Sequence, residues 1–494
     1  MKENKTPFSH IFNYAVGDGA NSLVLNGLAN FAMLYYVKVL GLDAKYAGLA
    51  LAVTLFWDAV TDPIMGHLTD NTRSRFGRRH PYILIGGVLT ALSFFFLWFV
   101  PEAFTQPKFL FWYLLMVNIV LRTASTVLIV PYAALGFEIC TDYEGRSKVQ
   151  SVKNALNQIV NFLGGAMAWS LFFRDRQLPD GSTQDGTSIA GNYFNMGIVL
   201  TIAAAMMIVY TVFFTRQYAV DTREMKIHNN LKSFIMDFYQ IITDRYAVFV
   251  FACLGIAQLG MMLVSQVQMF TYVEFMKFTH THKTIAHGAG MIAFALGAML
   301  QSWLVHRIDK KPTAYVGFAA CVIGNIMLYV LFIVGVLPPQ TVWPTPQWLA
   351  FSGAAGIPVS VFAFAIFQGM WWGGCGILIP LATSMIADIS EINKLNTGVL
   401  KDGSYSAVFS FLMKSASGVG MFLNGWLMSG IGFVSGLETQ SQEVVRNMAI
   451  LTFVSGPIVI LLSMPLMVMY PVNRRFMMDV KARLHAQSQS AVPE

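Results

Sequence analysis

The sequence predicts an all-α membrane protein of twelve transmembrane helices, arranged as two six-helix bundles. Three observations carry that reading. Of the 494 residues, 55% are hydrophobic and only 12% are charged, whereas soluble chains carry about 25% charged residues. The apolar residues fall in runs long enough for a membrane helix, which takes about 20 residues. The Lys and Arg residues gather in alternate connecting segments, the pattern of a chain oriented by its positive charges. So little charge speaks against a soluble enzyme, a nucleic-acid binder or a disordered scaffold.

In chain order the spans read as 12–37, 46–68, 82–100, 109–137, 151–173, 191–215, 247–273, 288–305, 313–336, 358–386, 404–430 and 447–470. The tenth lies in 347–387, forty-one positions without a charge, read as an entry segment and one helix with Pro358 near the break. The runs exceed the ~10 alternating residues of a barrel strand. With both termini in the cytoplasm, inside segments hold 22 of the 33 Lys and Arg and outside segments hold 8. The remaining three, Arg122, Lys153 and Lys414, fall within spans. The expected location is therefore the cytoplasmic (inner) membrane, the chain crossing the lipid bilayer many times. The N-terminus, MKENKTPFSH, lacks the short apolar core and cleavage site of a secretory signal. The four Cys, at 140, 253, 321 and 375, are too dispersed for a disulfide framework or a metal site.

The polar segment 216–246 divides the chain into an N-terminal bundle, 1–215, and a C-terminal bundle, 247–473, followed by a tail, 474–494. Within the divider, NNLKSFIMDFYQIITD has the pattern of an amphipathic helix on the inner leaflet. The halves echo each other. VPYAALGFE (130–138) closes span four and IPLATSMIAD (379–388) closes span ten. Each precedes a span with a lone lysine, Lys153 or Lys414, and the loops after spans two and eight are both basic. Repeated halves of this kind point to a transporter with a central site.

Charged side chains inside a membrane are costly, roughly 2.5–3.5 kcal/mol each on insertion scales, and mark functional sites. Span two carries Asp58 and Asp62 in LFWDAVTDPIMG, with Thr61 on the same helical face. Two carboxylates and a hydroxyl suit Na⁺; adjacent carboxylates can equally share a proton. An ion pair with Lys153 or Arg122 is the purely structural alternative. Pro63 leaves a backbone carbonyl short of a donor, a further candidate ligand. Lys153 and Lys414 are placed to hold a polar or anionic substrate, to neutralise the aspartates, or to snorkel to the surface. Asp18, Asn21 and Ser22 stand in the Gly-rich part of span one, suited to ligand contact or to close helix packing. Trp371 and Trp372 lie within span ten beside Gln368; Trp372 could stack on a sugar ring, and packing serves either one as well.

These residues resemble the glycoside–pentoside–hexuronide:cation symporter family of the major facilitator superfamily. The resemblance covers most of the chain. It is strongest in WDAVTDPIMGHLTDNTRSRFGRRHPYILIGG, and extends to Gly17–Asp18, VPYAAL, MIAD and FSFLMKSASG. It implies the major facilitator fold and no cofactor beyond the coupling ion, Na⁺ or H⁺. Asp58 and Asp62 would bind that cation, with Thr61 and Thr126 as oxygen ligands. Lys414 would sit between the cation and sugar sites, with Ser410 one turn before it as a further substrate contact. Asp70, Arg73, Arg75, Arg78 and Arg79 would latch the cytoplasmic side, with Asp388 and Glu391 in the equivalent network of the second half. The chain departs from the family's galactoside carriers at Ser22 and Ile129, where they have carboxylates, and at Ala133 and Ile379, where they have tryptophans. The cargo expected is thus a glycoside, oligosaccharide or uronide, carried by alternating access through a chain working as a monomer. A lysophospholipid or other amphiphile is the alternative on the same fold. A non-transporting membrane sensor or scaffold is the alternative of another class. No zinc spacing, phosphate loop or nucleophile–base set points to an enzyme.

Overall fold

The computed structural model describes residues 7–72, 74, 76–139, 143–179, 181, 183–218, 231–339, 357–397, 402–437 and 439–490. They form an almost wholly helical chain. The helices are α1 (Phe8–Leu34), α2 (Ala44–Asp70), α3 (His80–Trp98), α4 (Pro107–Ile139), α5 (Tyr143–Asn161), α6 (Met167–Phe172), α7 (Ala190–Thr215), α8 (Leu231–Ile242), α9 (Arg245–Phe270), α10 (His280–Ile308), α11 (Lys310–Leu328), α12 (Val359–Thr397), α13 (Asp402–Gly430), α14 (Gln442–Met469) and α15 (Arg474–Ser490). Every predicted span coincides with one of these, the fifth being α5 and α6 joined by a π-helical turn, Phe162–Ala166. The short α8 falls on the predicted amphipathic segment.

Ten of the described helical segments are long and apolar enough to cross a membrane by composition alone. The helices of the first and fifth spans, α1 and α5, are not among them. Both carry polar residues at four-residue intervals, and those residues meet each other inside the protein.

The chain divides into two compact units. The first comprises 1–229, 265–288 and 421–449; the second comprises 230–264, 289–420 and 450–494. In the first, α1 packs on α5 and α7, α3 on α4 and α7, and α2 on α4. Small residues permit these approaches: a Cβ at Gly86 of α3 would come within 2.6 Å of the Leu128 nitrogen of α4. In the second, α12 lies along α11, and Trp371 is wholly buried, its ring against Gly456.

Two ion pairs among the described residues of the first unit each hold a buried lysine. α1 ends in a π-helical turn, Tyr35–Val39, and α9 in another, Thr271–Phe275. Lys38 of the first turn meets Glu274 of the second at 2.6 Å, the two side chains 4% and 9% exposed. The turns read YYVKV and TYVEF, so the partners occupy the same place in each half of the sequence. Nearby, a two-strand hairpin, β1 (Arg176–Gln177) with β2 (Thr183–Gln184), leads into Asp185. Asp185 accepts from the Thr187 N–H at 2.7 Å and from the fully buried Lys283 amine at 2.6 Å. Burial alone would push the Asp185 carboxyl up, but the Lys283 charge outweighs it and holds the group below its ordinary 3.8.

Three outcomes follow. Gly376→Ala drives a Cβ toward the Phe294 carbonyl, which lies 2.1 Å from that position; overpacking of this kind costs about 1–3 kcal/mol, read as a lower thermal midpoint in detergent. Lys38→Ala strands a buried carboxylate and costs about 3–5 kcal/mol, while the paired apolar replacement Lys38→Met with Glu274→Leu costs much less. A depressed carboxyl stabilises above its unfolded value and that contribution fades as pH falls through the lower folded value. Melting should therefore show an acid limb below the ordinary 3.8 that Lys283→Gln diminishes.

Candidate functional site: two polar seams in the first unit

The first seam joins α2 to α4. Thr126 on α4 is almost fully buried, and its hydroxyl lies 2.9 Å from Asp58 Oδ1 and 3.0 Å from Asp62 Oδ1. One hydroxyl carries one proton, so the two carboxylates share a single donor there. The other Asp58 oxygen, Oδ2, stands 3.6 Å from Arg122, one turn before Thr126. The Thr61 hydroxyl turns onto its own helix, 3.3 Å from the Asp58 carbonyl. Pro63 lies inside α2 and supplies no N–H to the Ala59 carbonyl one turn back. The seam continues along the helices: the Asn118 amide donates to Thr54 at 2.7 Å, and the Trp57 indole to Thr123 at 2.9 Å. Two acids, one guanidinium and the Thr126 hydroxyl thus meet at this seam.

The second seam joins α1 to α5. Asp18, Ser22 and Asn26 follow at four-residue steps on α1, and Lys153, Asn157 and Asn161 on α5. The Lys153 amine is 3.3 Å from Asp18 Oδ1, and the Asn157 amide donates to Asp18 Oδ2 at 3.1 Å and to the Ser22 hydroxyl at 2.5 Å. Asn161 donates to Asn157 at 2.8 Å, and Asn26 to Asn161 at 2.5 Å. The Asp18 and Lys153 charges cancel, leaving a ladder of amide and hydroxyl groups. Asn21, beside the ladder, is half-buried with its carbonyl oxygen unpartnered.

The structure thus brings Asp58, Asp62, Thr61 and Thr126 together, and separately Asp18, Ser22 and Lys153 with Asn21 alongside. Gln368, Trp372, Ser410 and Lys414 belong to the second unit. Gln368 is fully buried and Trp372 lies against Gly290, while Ser410 is exposed one turn before the half-buried Lys414. Of the basic loop, Arg79 is buried and Arg78 half-buried. Arg73, Arg75 and the side chain of Asp70 lie outside the described residues. Asp388 takes the Lys310 amine at 2.6 Å, and Glu391 stands 3.7 Å from Lys481 of α15. Asn26, Asn157 and Asn161 escaped the sequence reading because uncharged amides raise no alarm in a span; their shared four-residue spacing was the available signal.

Residues 13–474 match the family of MFS/sugar transport proteins. The chain is 23% identical to the isoprimeverose transporter of Lactiplantibacillus pentosus, over 93% of this chain and 87% of that one. It is also 23% identical to the sodium-dependent lysophosphatidylcholine symporter 1-B of Danio rerio, over 93% and 86%. The nucleoside transporter NupG has a similar fold, with a TM-score of 0.61 over 94% of this chain and 99% of that one at 11% identity.

Proposed function

The chain belongs to the family of MFS/sugar transport proteins, and on that premise we propose that it takes up a saccharide together with one monovalent cation held by Asp58, Asp62 and Thr126. It is a multi-pass membrane transporter and not an enzyme. The observation that carries the reading is the α2–α4 cluster. Asp58 and Asp62 bring two carboxylates onto one hydroxyl, with the Thr126 oxygen between the acids and Arg122 at 3.6 Å from Asp58. A bound Na⁺ or proton offsets carboxylate charge there, which makes the cluster easier to move through a low-dielectric environment. Four oxygens from two carboxylates and one from a hydroxyl form a hard donor set, which favours Na⁺ over a soft metal. Cation binding and substrate binding then raise each other by the same factor. Only the empty and the fully loaded carrier change sides readily, so the ion gradient drives accumulation.

The α1–α5 ladder supports a polyhydroxylated cargo. Its amides and hydroxyls match sugar hydroxyl groups, and the Asp18–Lys153 pair leaves it without net charge. A neutral glycoside or oligosaccharide suits that balance better than a uronide. A lysophospholipid is the second reading, and the zebrafish relative favours it. Within the second unit Lys414 and Trp372 are the proposed substrate contacts, and both termini would lie in the cytoplasm.

Uptake into reconstituted vesicles tests this, with neutral glycosides, uronides and lysophosphatidylcholine offered under separately imposed Na⁺ and pH gradients. The expected result is accumulation of a neutral saccharide under one gradient. Asp58→Asn and Asp62→Asn each abolish accumulation and retain downhill exchange. Accumulation by both variants equal to the wild type would refute the cation assignment; transport of the lysophospholipid alone would refute the cargo.

A further inference from the structure

Two tyrosines tie the cation-bearing helix α4 to the ladder-bearing helix α1. The rings of Tyr14 and Tyr132 stack at 4.5 Å with planes 8° apart, and both side chains are buried. The Tyr132 hydroxyl accepts from the backbone N–H of Asp18 at 3.0 Å and donates to the carbonyl of Tyr14 at 2.6 Å. Asp18 N–H and Tyr14 C=O are four residues apart, the ordinary partners of one helical turn. The phenol therefore bridges that turn of α1. The arrangement is reciprocal. The Tyr14 hydroxyl donates to the Tyr132 carbonyl at 3.0 Å and lies against the backbone of Gly136, four residues further along α4.

Glycines make room on both sides. A Cβ at Gly17 would come within 2.6 Å of the Tyr132 ring, and one at Gly136 within 2.5 Å of the Tyr14 hydroxyl. The charged ends of the ladder stand over the stack. The Lys153 amine is 5.8 Å from the Tyr14 ring centre and 5.3 Å from that of Tyr132, while it pairs with Asp18 at 3.3 Å. Tyr132 lies six residues beyond Thr126 on α4, about 9 Å along the helix axis.

We propose that Tyr14 and Tyr132 form a clasp that transmits the state of the Asp58–Thr126–Asp62 cluster to Asp18 and Lys153, and that both act as positioning residues for coupling. The proposal rests on the cation assignment made above. Its physical basis is that the clasp has a second satisfied state. Without the phenol, Asp18 N–H and Tyr14 C=O still have each other as partners within the continuous helix α1, so opening strands no backbone group. An element with two satisfied arrangements switches rather than deforms gradually. A shift of Thr126 as the cation arrives moves α4, and with it the hydroxyl that sets the turn carrying Asp18. The Asp18–Lys153 pair tightens or loosens accordingly, which governs how far the amine and the ladder are open to a substrate.

Hydrogen exchange on the detergent-solubilised protein tests this without a known substrate. Peptides covering 54–66 and 12–20 are followed as NaCl replaces choline chloride at fixed pD. They are followed again between mildly acid and neutral pD in choline chloride, with rates normalised to the unstructured chain. In the wild type, one of the two ions slows exchange in both peptides, at 12–20 by about threefold or more. In Tyr132→Phe, which keeps the ring and loses only the hydroxyl, 54–66 still responds and 12–20 no longer does. Tyr14→Phe gives the same split and serves if the first variant does not fold. An equal response at 12–20 in the wild type and in a folded variant, or a wild-type response confined to 54–66, overturns the clasp. A wild-type 54–66 peptide indifferent to both ions denies the cation site itself, and the clasp with it.

Discussion

A charge or amide that leaves water for a membrane interior must find a partner there, and the first unit is arranged by that constraint. α1 and α5 are too polar to cross a bilayer on composition, and α2 carries two acids. They are tolerable because their polar faces are spent on each other and on α4. Asp58 and Asp62 meet Thr126 and Arg122. Asp18 meets Lys153 and Asn157. The remaining surface of these helices can then be apolar, and the packing of the unit follows from which polar face needs which neighbour. At the α2–α4 cluster two carboxylates converge on one hydroxyl, and an oxygen-rich cluster of this kind is where a mobile cation has most to offer.

The same constraint explains what could be read in advance. Spans are legible because lipid exposure demands long apolar runs, and each predicted run coincides with a helix. Their ends are less legible. α10 begins at His280 rather than 288 and α12 extends to Thr397 rather than 386, because polar residues continue a helix into the interface, where hydropathy gives no signal. The π-helical turns at Tyr35–Val39 and Thr271–Phe275 straddle the ends of predicted spans one and seven, which hydropathy reads as plain helix.

Candidate site residues were legible to the extent that they were charged. Asp58, Asp62, Asp18 and Lys153 stand out in a span, but their pairing does not. Spacing alone left Lys153 and Arg122 as equal candidates to neutralise the aspartates. The fold assigns Arg122 to Asp58 and Lys153 to Asp18, because α4 lies beside α2 and α5 beside α1. Thr126 entered through a family resemblance, and its hydroxyl does lie between the two acids. Asn157, Asn161 and the two tyrosines are ordinary residues in a sequence. They become informative only when the helices that carry them are placed side by side. The matched turns YYVKV and TYVEF strengthen the case for a repeated half, and tie Lys38 to Glu274 from equivalent positions.

The central claim is that the Asp58–Asp62–Thr126 cluster takes up the coupling cation on its own, before any substrate. Charge displacement on a solid-supported membrane measures this directly, using reconstituted protein and a rapid jump in Na⁺ or in pH with no sugar present. The account predicts a saturable transient current for one of these ions in the wild type, and none for that ion in Asp62→Asn. Currents of equal size in the two proteins, or no current with either ion in the wild type, would contradict it.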